Sequence, residues 1–237
     1  WRALYALSGA WLVVPVVLRR RLRETARFSA QADRPRTPIP GARLAVQATV
    51  AVLANVFIAG ASVFLVNYLR DVRGYPAARV SLFTLVTASP AAIGLVVGGR
   101  LADRRGRRAL GAGALVVGAA CFVLAYRTSG GAMWLAALAG GVALGVAYPA
   151  TGVYRGEMFA TRGRGTASGL VTTASLLGGS VGLLAAGVLV DRGASYGDVM
   201  ALLALGPLAA SVVILIAYPE TAHRALEELN PSDRPAA

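Results

Sequence analysis

The feature that most constrains this chain is a succession of long apolar stretches separated by short polar segments. An α-helix needs about 20 mostly apolar residues to cross the hydrocarbon core of a bilayer. Strands of a membrane barrel would alternate apolar and polar residues, and these stretches do not alternate. The sequence therefore predicts an all-α, polytopic membrane protein with seven spans. The predicted spans cover residues 2–18, 44–69, 80–98, 109–126, 133–153, 166–190 and 197–218.

The charge of the chain is concentrated between those stretches. Only 15% of the residues are charged, the formal net charge is +13, and every basic residue is an arginine. The arginines gather in segments 19–43, 100–108 and 154–165 and in the C-terminal tail. Because positively charged loops remain in the cytoplasm, these segments and the C-terminus are predicted to be cytoplasmic, with Trp1 on the other side. This placement favours the lipid bilayer, and not nucleic acid, as the partner of the charge.

The composition also predicts where the protein resides. Exclusive use of arginine together with abundant alanine and glycine is typical of a GC-rich bacterial genome. We therefore expect a multi-pass protein of the bacterial plasma membrane, the cell inner membrane. The chain begins with Trp1 and not with Met, so we expect it to start inside a longer gene product.

The longest connection between apolar stretches, residues 19–43, contains three prolines and mixed charge and is typical of a linker. We predict that residues 1–18 are the last helix of a truncated N-terminal half and that 19–43 are a cytoplasmic central linker. Residues 44–218 are predicted to form a six-helix C-terminal bundle, and 219–237 a cytoplasmic tail. Glycines four residues apart predict close helix packing. These pairs are Gly94/Gly98, Gly141/Gly145, Gly165/Gly169 and Gly178/Gly182.

The residues needed for chemistry at an active site or a metal site are sparse. The chain has one cysteine, Cys121, and one histidine, His223, and no pair of carboxylates lies within an apolar stretch. A membrane-embedded enzyme would need a nucleophile and a base, or several metal ligands, at one depth. The sequence therefore predicts no metal, no cofactor and no enzymatic activity, and a membrane-embedded enzyme is only a remote alternative.

Four motifs in order resemble one family. The segment GGRLADRRGRR, residues 98–108, resembles the loop motif of the major facilitator superfamily. YRGEMFATRGRGTASG, 154–169, is similar to the loop before the eleventh helix of that family, and ETARF, 24–28, to the end of its sixth helix. PETAHRALEEL, 219–229, resembles the tail of its sugar-porter-like and metabolite-symporter-like members, with His223 in place of the usual glycine. The resemblance implies helix six, the central loop and helices seven to twelve.

The resemblance also implies a conformational latch on the cytoplasmic side. Asp103 would meet the start of the helix at 166–190 near Thr166, held by Arg107 or Arg104, because helix N-termini attract negative charge. Glu157, Arg164 and Glu220 would complete an ion-pair network that favours the outward-open state. The alternative is that the arginines only anchor the topology. The latch residues are Gly99, Asp103, Arg104, Gly106, Arg107, Arg108, Glu157, Arg164 and Glu220.

The last six apolar stretches contain no charged residue in their interior, so candidates for contacting a substrate are neutral. Asn55 is the strongest, because a buried amide is costly in lipid unless it finds a partner. The candidates for the substrate cavity are Asn55, Tyr148, Gln47, Thr151 and Thr172.

The resemblance implies a secondary active transporter of a small polar solute that works by alternating access. Coupling to protons by symport is expected, with the coupling acid in the missing N-terminal half. Efflux of drugs or metabolites by antiport is the alternative. The substrate could be a sugar, an organic acid or another small metabolite. Because alternating access moves one half against the other, we expect the fragment to be inactive alone.

Overall fold

The computed structural model describes residues 9, 11, 13–21, 38–224 and 226–233. The chain divides into two compact units, residues 1–36 and residues 37–237. In the first unit the structure describes a helix, α1 (Val13–Arg21), whose described apolar side chains are exposed. This helix overlaps the end of the predicted first span, 2–18, and the start of the predicted linker, 19–43. The rest of that span, apart from residues 9 and 11, and most of the linker lie outside the described residues.

The second unit is built from helices, and no strand occurs among residues 38–224 and 226–233. Six of its helical segments are long and apolar enough to cross a membrane, with mean hydropathy of 1.6 to 2.6, which confirms the predicted all-α, polytopic fold. The segments are Gly41–Val72, Ala77–Arg105, Arg107–Arg127, Gly130–Glu157, Arg164–Asp191 and Tyr196–Ala217. Four of the six have both ends within three residues of the predicted apolar stretch, whereas Ala77–Arg105 and Gly130–Glu157 extend a turn or more beyond it, to an arginine and to an acid.

Several spans contain a local break, so eleven α-helices are labelled along the described chain. They are α1 (Val13–Arg21), α2 (Gly41–Asn67), α3 (Ala77–Ala88), α4 (Ala91–Arg105), α5 (Arg107–Arg127), α6 (Gly130–Gly152), α7 (Tyr154–Glu157), α8 (Arg164–Asp191), α9 (Tyr196–Leu203), α10 (Leu205–Ala217) and α11 (Leu226–Leu229). A π-helical turn, Tyr68–Val72, continues α2, and a 3₁₀ turn, Pro231–Asp233, follows α11.

Proline and glycine account for the breaks. Pro90 follows the end of α3 and opens α4, where its missing N–H costs no hydrogen bond. Pro149 lies inside α6, where it removes one hydrogen bond of the helix three residues before Gly152. Gly106 alone separates α4 from α5 with φ of 96°, a conformation that favours glycine. The chain can therefore reverse between two spans in a single residue.

The spans pack in pairs through small residues. α4 lies against α6, with Gly94 and Gly98 on the backbone of Val142 and Val146. α2 lies against α8 through glycines in the same way, and both pairs join through α5 and α10. Lipid provides no hydrophobic drive between helices, so such close backbone approach is what makes these contacts favourable.

Two buried clusters fill the bundle. One, with Phe57, Tyr68 and Tyr126, lies towards the end formed by turns 73–76, 128–129 and 192–195. The other, with Tyr154 and Tyr218, lies towards the end formed by Gly106 and residues 158–163 and 218–224, which we call the arginine-rich end. Large apolar side chains remain exposed along the spans, which is expected where lipid surrounds the protein.

Candidate functional site

The connection between α4 and α5 at Gly106 places the first residues of α5 beside Glu220, which lies in the segment after α10. The carboxylate of Glu220 accepts hydrogen bonds from the backbone N–H groups of Arg107 at 2.9 Å and Arg108 at 3.2 Å. A Cβ atom at Gly106 would lie 2.8 Å from Oε2 of Glu220, so a larger residue would displace this carboxylate, and the φ of 96° favours glycine as well. Glu220 therefore caps the N-terminus of α5, where unpaired N–H groups and the helix dipole favour an anion.

The pKa of Glu220 reflects this position. Burial by itself raises the pKa of the carboxyl, but backbone N–H groups of Arg107, Ala222, Arg108 and Thr221 donate to it and outweigh the burial. The pKa consequently lies below the ordinary value of 4.5, and Glu220 is ionised at neutral pH.

Arg107 is the centre of the arginine-rich end. Its side chain is 14% exposed and pairs with Glu157, at the end of α7, whose side chain is 18% exposed. Nη1 of Arg107 also donates to the hydroxyl of Thr221 at 3.2 Å, and Nη2 donates to Asp103 at 2.9 Å. One guanidinium thus joins α4, α7 and the segment after α10, and the pairing is charge-assisted on both sides.

Two tyrosines with tilted rings, Tyr154 and Tyr218, belong to the buried cluster at this end. The rings of Tyr154 and Tyr218 are 4.5 Å apart and both residues are buried. Burial raises the pKa of Tyr218, so its hydroxyl stays neutral.

The geometry differs from the predicted latch at Asp103. Asp103 makes no hydrogen bond to Thr166 or to the start of α8 among the described residues. Its partner is Arg107, four residues along the chain and across the turn at Gly106, which is one of the two arginines predicted to hold it. The acid that caps a helix here is Glu220, and the capped helix is α5. The reason is the single-residue turn at Gly106, which directs the α5 N-terminus towards Glu220 while Asp103 stays on α4, 64% exposed.

Of the remaining predicted latch residues, Arg108 and Arg164 form hydrogen bonds, whereas Gly99 and Arg104 lie outside the network. Arg108 participates through its backbone N–H and through Nη1, which donates to the carbonyl of Tyr218 at 3.5 Å. Arg164 donates to the carbonyl of Phe159 within its own loop, at 3.4 Å. Gly99 has open space around it, and Arg104 is exposed and takes no part in the described network.

The predicted cavity residues are dispersed. Nδ2 of Asn55 donates to the carbonyl of Ser175 at 2.7 Å, which joins α2 to α8. Nε2 of Gln47 lies 3.1 Å from the sulfur of Met158 and is buried at the arginine-rich end. Thr151 and Thr172 donate to carbonyls of their own helices. Tyr148 is 71% exposed, and Thr172 is exposed as well.

Several residues that were not among the predicted site residues lie at the same end. Arg43, at the start of α2, contacts the loop before α8 and the tail. Thr221 and Asn230 are buried polar residues there. His223 has φ of 63°, the left-handed conformation that glycine favours. The replacement of the usual tail glycine was a signal for His223, whereas Arg43 looked like any other loop arginine.

These features define the class of the protein: a polytopic helical membrane protein whose spans pack through glycine seams and whose one end carries an ion-pair network. The family model of the Major Facilitator Superfamily matches residues 48–235. The chain belongs to this family, which confirms the resemblance. The family consists of transport proteins, so the membership agrees with the prediction that the chain is not an enzyme.

A solved structure has a similar fold. It is the crystal structure of the peptide transporter POT (E310Q mutant) in complex with sulfate, with a TM-score of 0.62 and 20% sequence identity. The similarity covers 81% of this chain and 41% of that chain, so the present chain matches less than half of the transporter. No curated protein sequence matches this chain.

Proposed function

We propose that this chain is one half of a secondary active transporter that moves a small polar solute across the plasma membrane by alternating access. The observation that carries the proposal is the network around Arg107, which sits at one end of a bundle of the transporter family. A second half of the same protein would complete the transport path, in line with the partial coverage of the peptide transporter. The substrate is of the class that sugar-porter-like and metabolite-symporter-like carriers move.

The network would act as a latch on the cytoplasmic side. Arg107 is held by Glu157, and Glu220 fixes the first turn of α5, so the Asp103 carboxylate is presented from a rigid base. At 64% exposed, Asp103 keeps acceptor capacity for N–H groups of a helix in the other half. Contact there would hold the cytoplasmic side closed and favour the outward-open state, and parting of the contact would allow the side to open.

The solute path would run along the faces of α6 and α8 that this bundle leaves exposed. Tyr148 and Thr172 are exposed on these helices, although the surrounding spans are apolar. Asn55 supports the path from α2, where its amide could exchange the Ser175 carbonyl for a polar group of the solute. Large exposed polar side chains in a span are otherwise costly in lipid.

Proton coupling by symport is part of the proposal. The acids of residues 41–217 are Asp71, Asp103, Glu157, Asp191 and Asp198, and all lie near span ends. A carboxylate that takes up a proton at membrane depth would therefore belong to the other half. This assignment is consistent with the predicted inactivity of the present chain alone.

The test is proton movement in proteoliposomes that contain a pH-sensitive dye. The 237-residue chain and the complete gene product are compared after external addition of a hexose, a monocarboxylic acid or a dipeptide. We expect one solute to acidify the lumen with the complete protein, and none with the chain alone. Solute-dependent alkalinisation would favour the antiport alternative, and proton flux through the chain alone would contradict the two-half mechanism.

A further inference from the structure

The last described segment, Leu226–Asp233, packs against the arginine-rich end, and we call it the tail strap. Asn230 is buried, and its Nδ2 donates to the main-chain carbonyl of Glu157 at 2.7 Å. Asp233 accepts from the backbone N–H of Thr161 at 3.1 Å and from its hydroxyl at 2.9 Å. The strap therefore binds the chain at two points, the end of α7 at Glu157 and the following loop at Thr161.

Arg43 ties the strap to the start of α2. Its Nη1 donates to the carbonyl of Met158 at 3.1 Å, to the carbonyl of Leu229 at 3.2 Å and to Oδ1 of Asn230 at 3.4 Å. The three acceptors lie on the loop after α7 and on the strap. Hydrogen bonds from a charged donor are stronger than those from a neutral donor. This one side chain therefore links α2, the loop after α7 and the tail strap.

The residues that the strap and Arg43 bind, Glu157, Met158 and Thr161, all follow the proline-containing end of α6. Pro149 removes a helical hydrogen bond, Gly152 is the last residue of α6, and the helix is interrupted at Val153. Proline and glycine positions of this kind are where helices bend. Residues 154–161 can thus move relative to the body of α6 unless something outside the helix holds them.

The held segment includes Glu157, the partner of Arg107. The strap binds the main-chain carbonyl of Glu157, while Arg107 binds its carboxylate. A cavity of about 260 Å³ is lined by Arg43, Glu157, Thr221 and Leu229 among others, so the strap and the network border the same space. The strap consequently acts on the network through the backbone of Glu157.

We propose that the tail strap is a releasable restraint on the end of α6, and that Asn230 and Arg43 are positioning residues for Glu157. With the strap docked, Glu157 is aligned on Arg107 and the network is intact. Release of the strap would let residues 154–161 shift and would weaken the Arg107–Glu157 pair. This inference goes beyond the proposed transport function, and its test needs no transported solute.

The test uses the full chain in nanodiscs and two readouts. The first is the rate of trypsin cleavage at Arg162 and Arg164 in the gripped loop. The second is the rate at which phenylglyoxal modifies Arg107, measured by peptide mass spectrometry. For Asn230→Ala we expect both rates to rise about three- to tenfold, the range set by losing one or two hydrogen bonds.

Several controls accompany these rates. Glu157→Gln should raise the modification of Arg107 directly. Asn230→Asp keeps the acceptor for Arg43 and loses the donor to Glu157, so a smaller rise than for Asn230→Ala is expected. Cleavage at Arg192, at the other end of the bundle, reports general unfolding and should be unchanged in every variant.

The outcomes separate the parts of the proposal. Unchanged cleavage at Arg162 and Arg164 would show that the tail strap does not restrain this part of the chain, which would contradict the proposal. Faster cleavage with unchanged modification of Arg107 would contradict the claim that Asn230 positions Glu157 for its pair with Arg107. If Arg192 is also cleaved faster in Asn230→Ala, the comparison is made with Asp233→Ala and Asp233→Asn, where only the alanine variant should expose the loop. A failed transport assay would leave all of these rates unaffected.

Discussion

The α4–α6 pair and the α2–α8 pair are built on the same seam. In one pair Gly94 and Gly98 lie on the backbone of Val142 and Val146. In the other pair Gly178 and Gly182 lie on the backbone of Val52 and Val56. Both seams have a Gly-x₃-Gly helix beside a Val-x₃-Val helix, so the bundle contains one packing unit twice, as internal repeats in membrane transporters lead one to expect.

The two seams differ at one position. Gly145 precedes Val146, and it lies against the backbone of Ala91, three residues before Gly94. Asn55 precedes Val56 in the same way, and its amide bonds to the carbonyl of Ser175, three residues before Gly178. At equivalent positions, one pair of helices is therefore joined by close backbone approach and the other by the amide of Asn55. Only the amide provides a polar group that a solute could bind.

The turns after the glycine helices differ as well. α4 ends at Gly106 with φ of 96°, and α8 is followed by Gly193 with φ of 89°. The α5 N-terminus is capped by Glu220, more than 100 residues further along the chain, whereas the α9 N-terminus is capped locally by Ser195. One end of the bundle is thus closed by long-range ionic contacts and the other by an exposed local cap.

The largest expected effect comes from filling a seam. Gly182→Ala places a methyl group against the main chain of Val56, and Gly94→Ala does the same at Val142. Backbone cannot move aside as a side chain can, so each should lower the free energy of unfolding by about 3 kcal/mol. Equilibrium unfolding of the full chain in SDS mixed micelles measures it.

The matched control for this seam prediction lies on the same helix. Gly169 has open space around it, so Gly169→Ala should be neutral or stabilise by about 1 kcal/mol through helix propensity. Equal stability of Gly182→Ala and Gly169→Ala would contradict close packing in the α2–α8 seam. If Gly94→Ala were still destabilising, the two seams would not be equivalent.

The next effect concerns the ionic end. Arg107→Ala leaves Glu157 mostly buried without its partner, and we expect a loss of about 2 kcal/mol after allowing for partial exposure. Arg108→Ala, which retains the backbone N–H that Glu220 binds, is the control and should lose much less. The same unfolding titration gives both values, and equal losses would show that Arg107 has no special role.

A smaller effect is expected at Asn55. Asn55→Ala removes the bond to Ser175, and side-chain hydrogen bonds between membrane helices contribute about 0.6–1.7 kcal/mol. Gly145→Ala, the corresponding position in the other pair, should cost more because it meets backbone at Ala91. If Asn55→Ala lowered the free energy of unfolding more than Gly145→Ala, the proposed difference between the two seams would be wrong.

Glu220 predicts a pH dependence at the arginine-rich end. Its pKa is lower in the folded chain than the ordinary 4.5, so its contribution is complete above that value and is lost as the pH falls through the folded-state pKa. Glu220→Gln removes the charge from the α5 N-terminus and should cost about 0.5–1 kcal/mol at pH 7. Stability measured from pH 7 to pH 3 should then show a shallower decline for Glu220→Gln, and parallel curves would exclude this role.

The smallest effect belongs to the opposite end. Arg127 and Asp198 pair at 2.9 Å, but both side chains are more than half exposed. Exposed pairs contribute about 0–1 kcal/mol, so Arg127→Ala should change the unfolding free energy by less than about 0.5 kcal/mol. A loss as large as that of Arg107→Ala would abolish the contrast between the two ends.

The spacing of glycines was a good guide to packing only in part. The pairs Gly94/Gly98, Gly141/Gly145 and Gly178/Gly182 all lie against neighbouring backbone, as predicted. Gly165 and Gly169 have the same spacing, but a Cβ atom at either would meet no atom of a neighbouring helix within 4 Å. Spacing identifies a stripe of small residues on a helix, but it does not say whether that stripe faces another helix.

The sequence by itself determined the six described spans, a loop within residues 98–108 and the family, although the structure narrows that loop to Gly106. The reason is that hydrocarbon thickness and the φ preference of glycine act on local stretches of chain. Only the tertiary structure decided that Glu220 caps α5, that Gln47 is buried against Met158, and that Asn230 holds the backbone of Glu157. Those partners are distant in sequence, and their pairing depends on which helix ends the packing of the spans brings to the same end of the bundle.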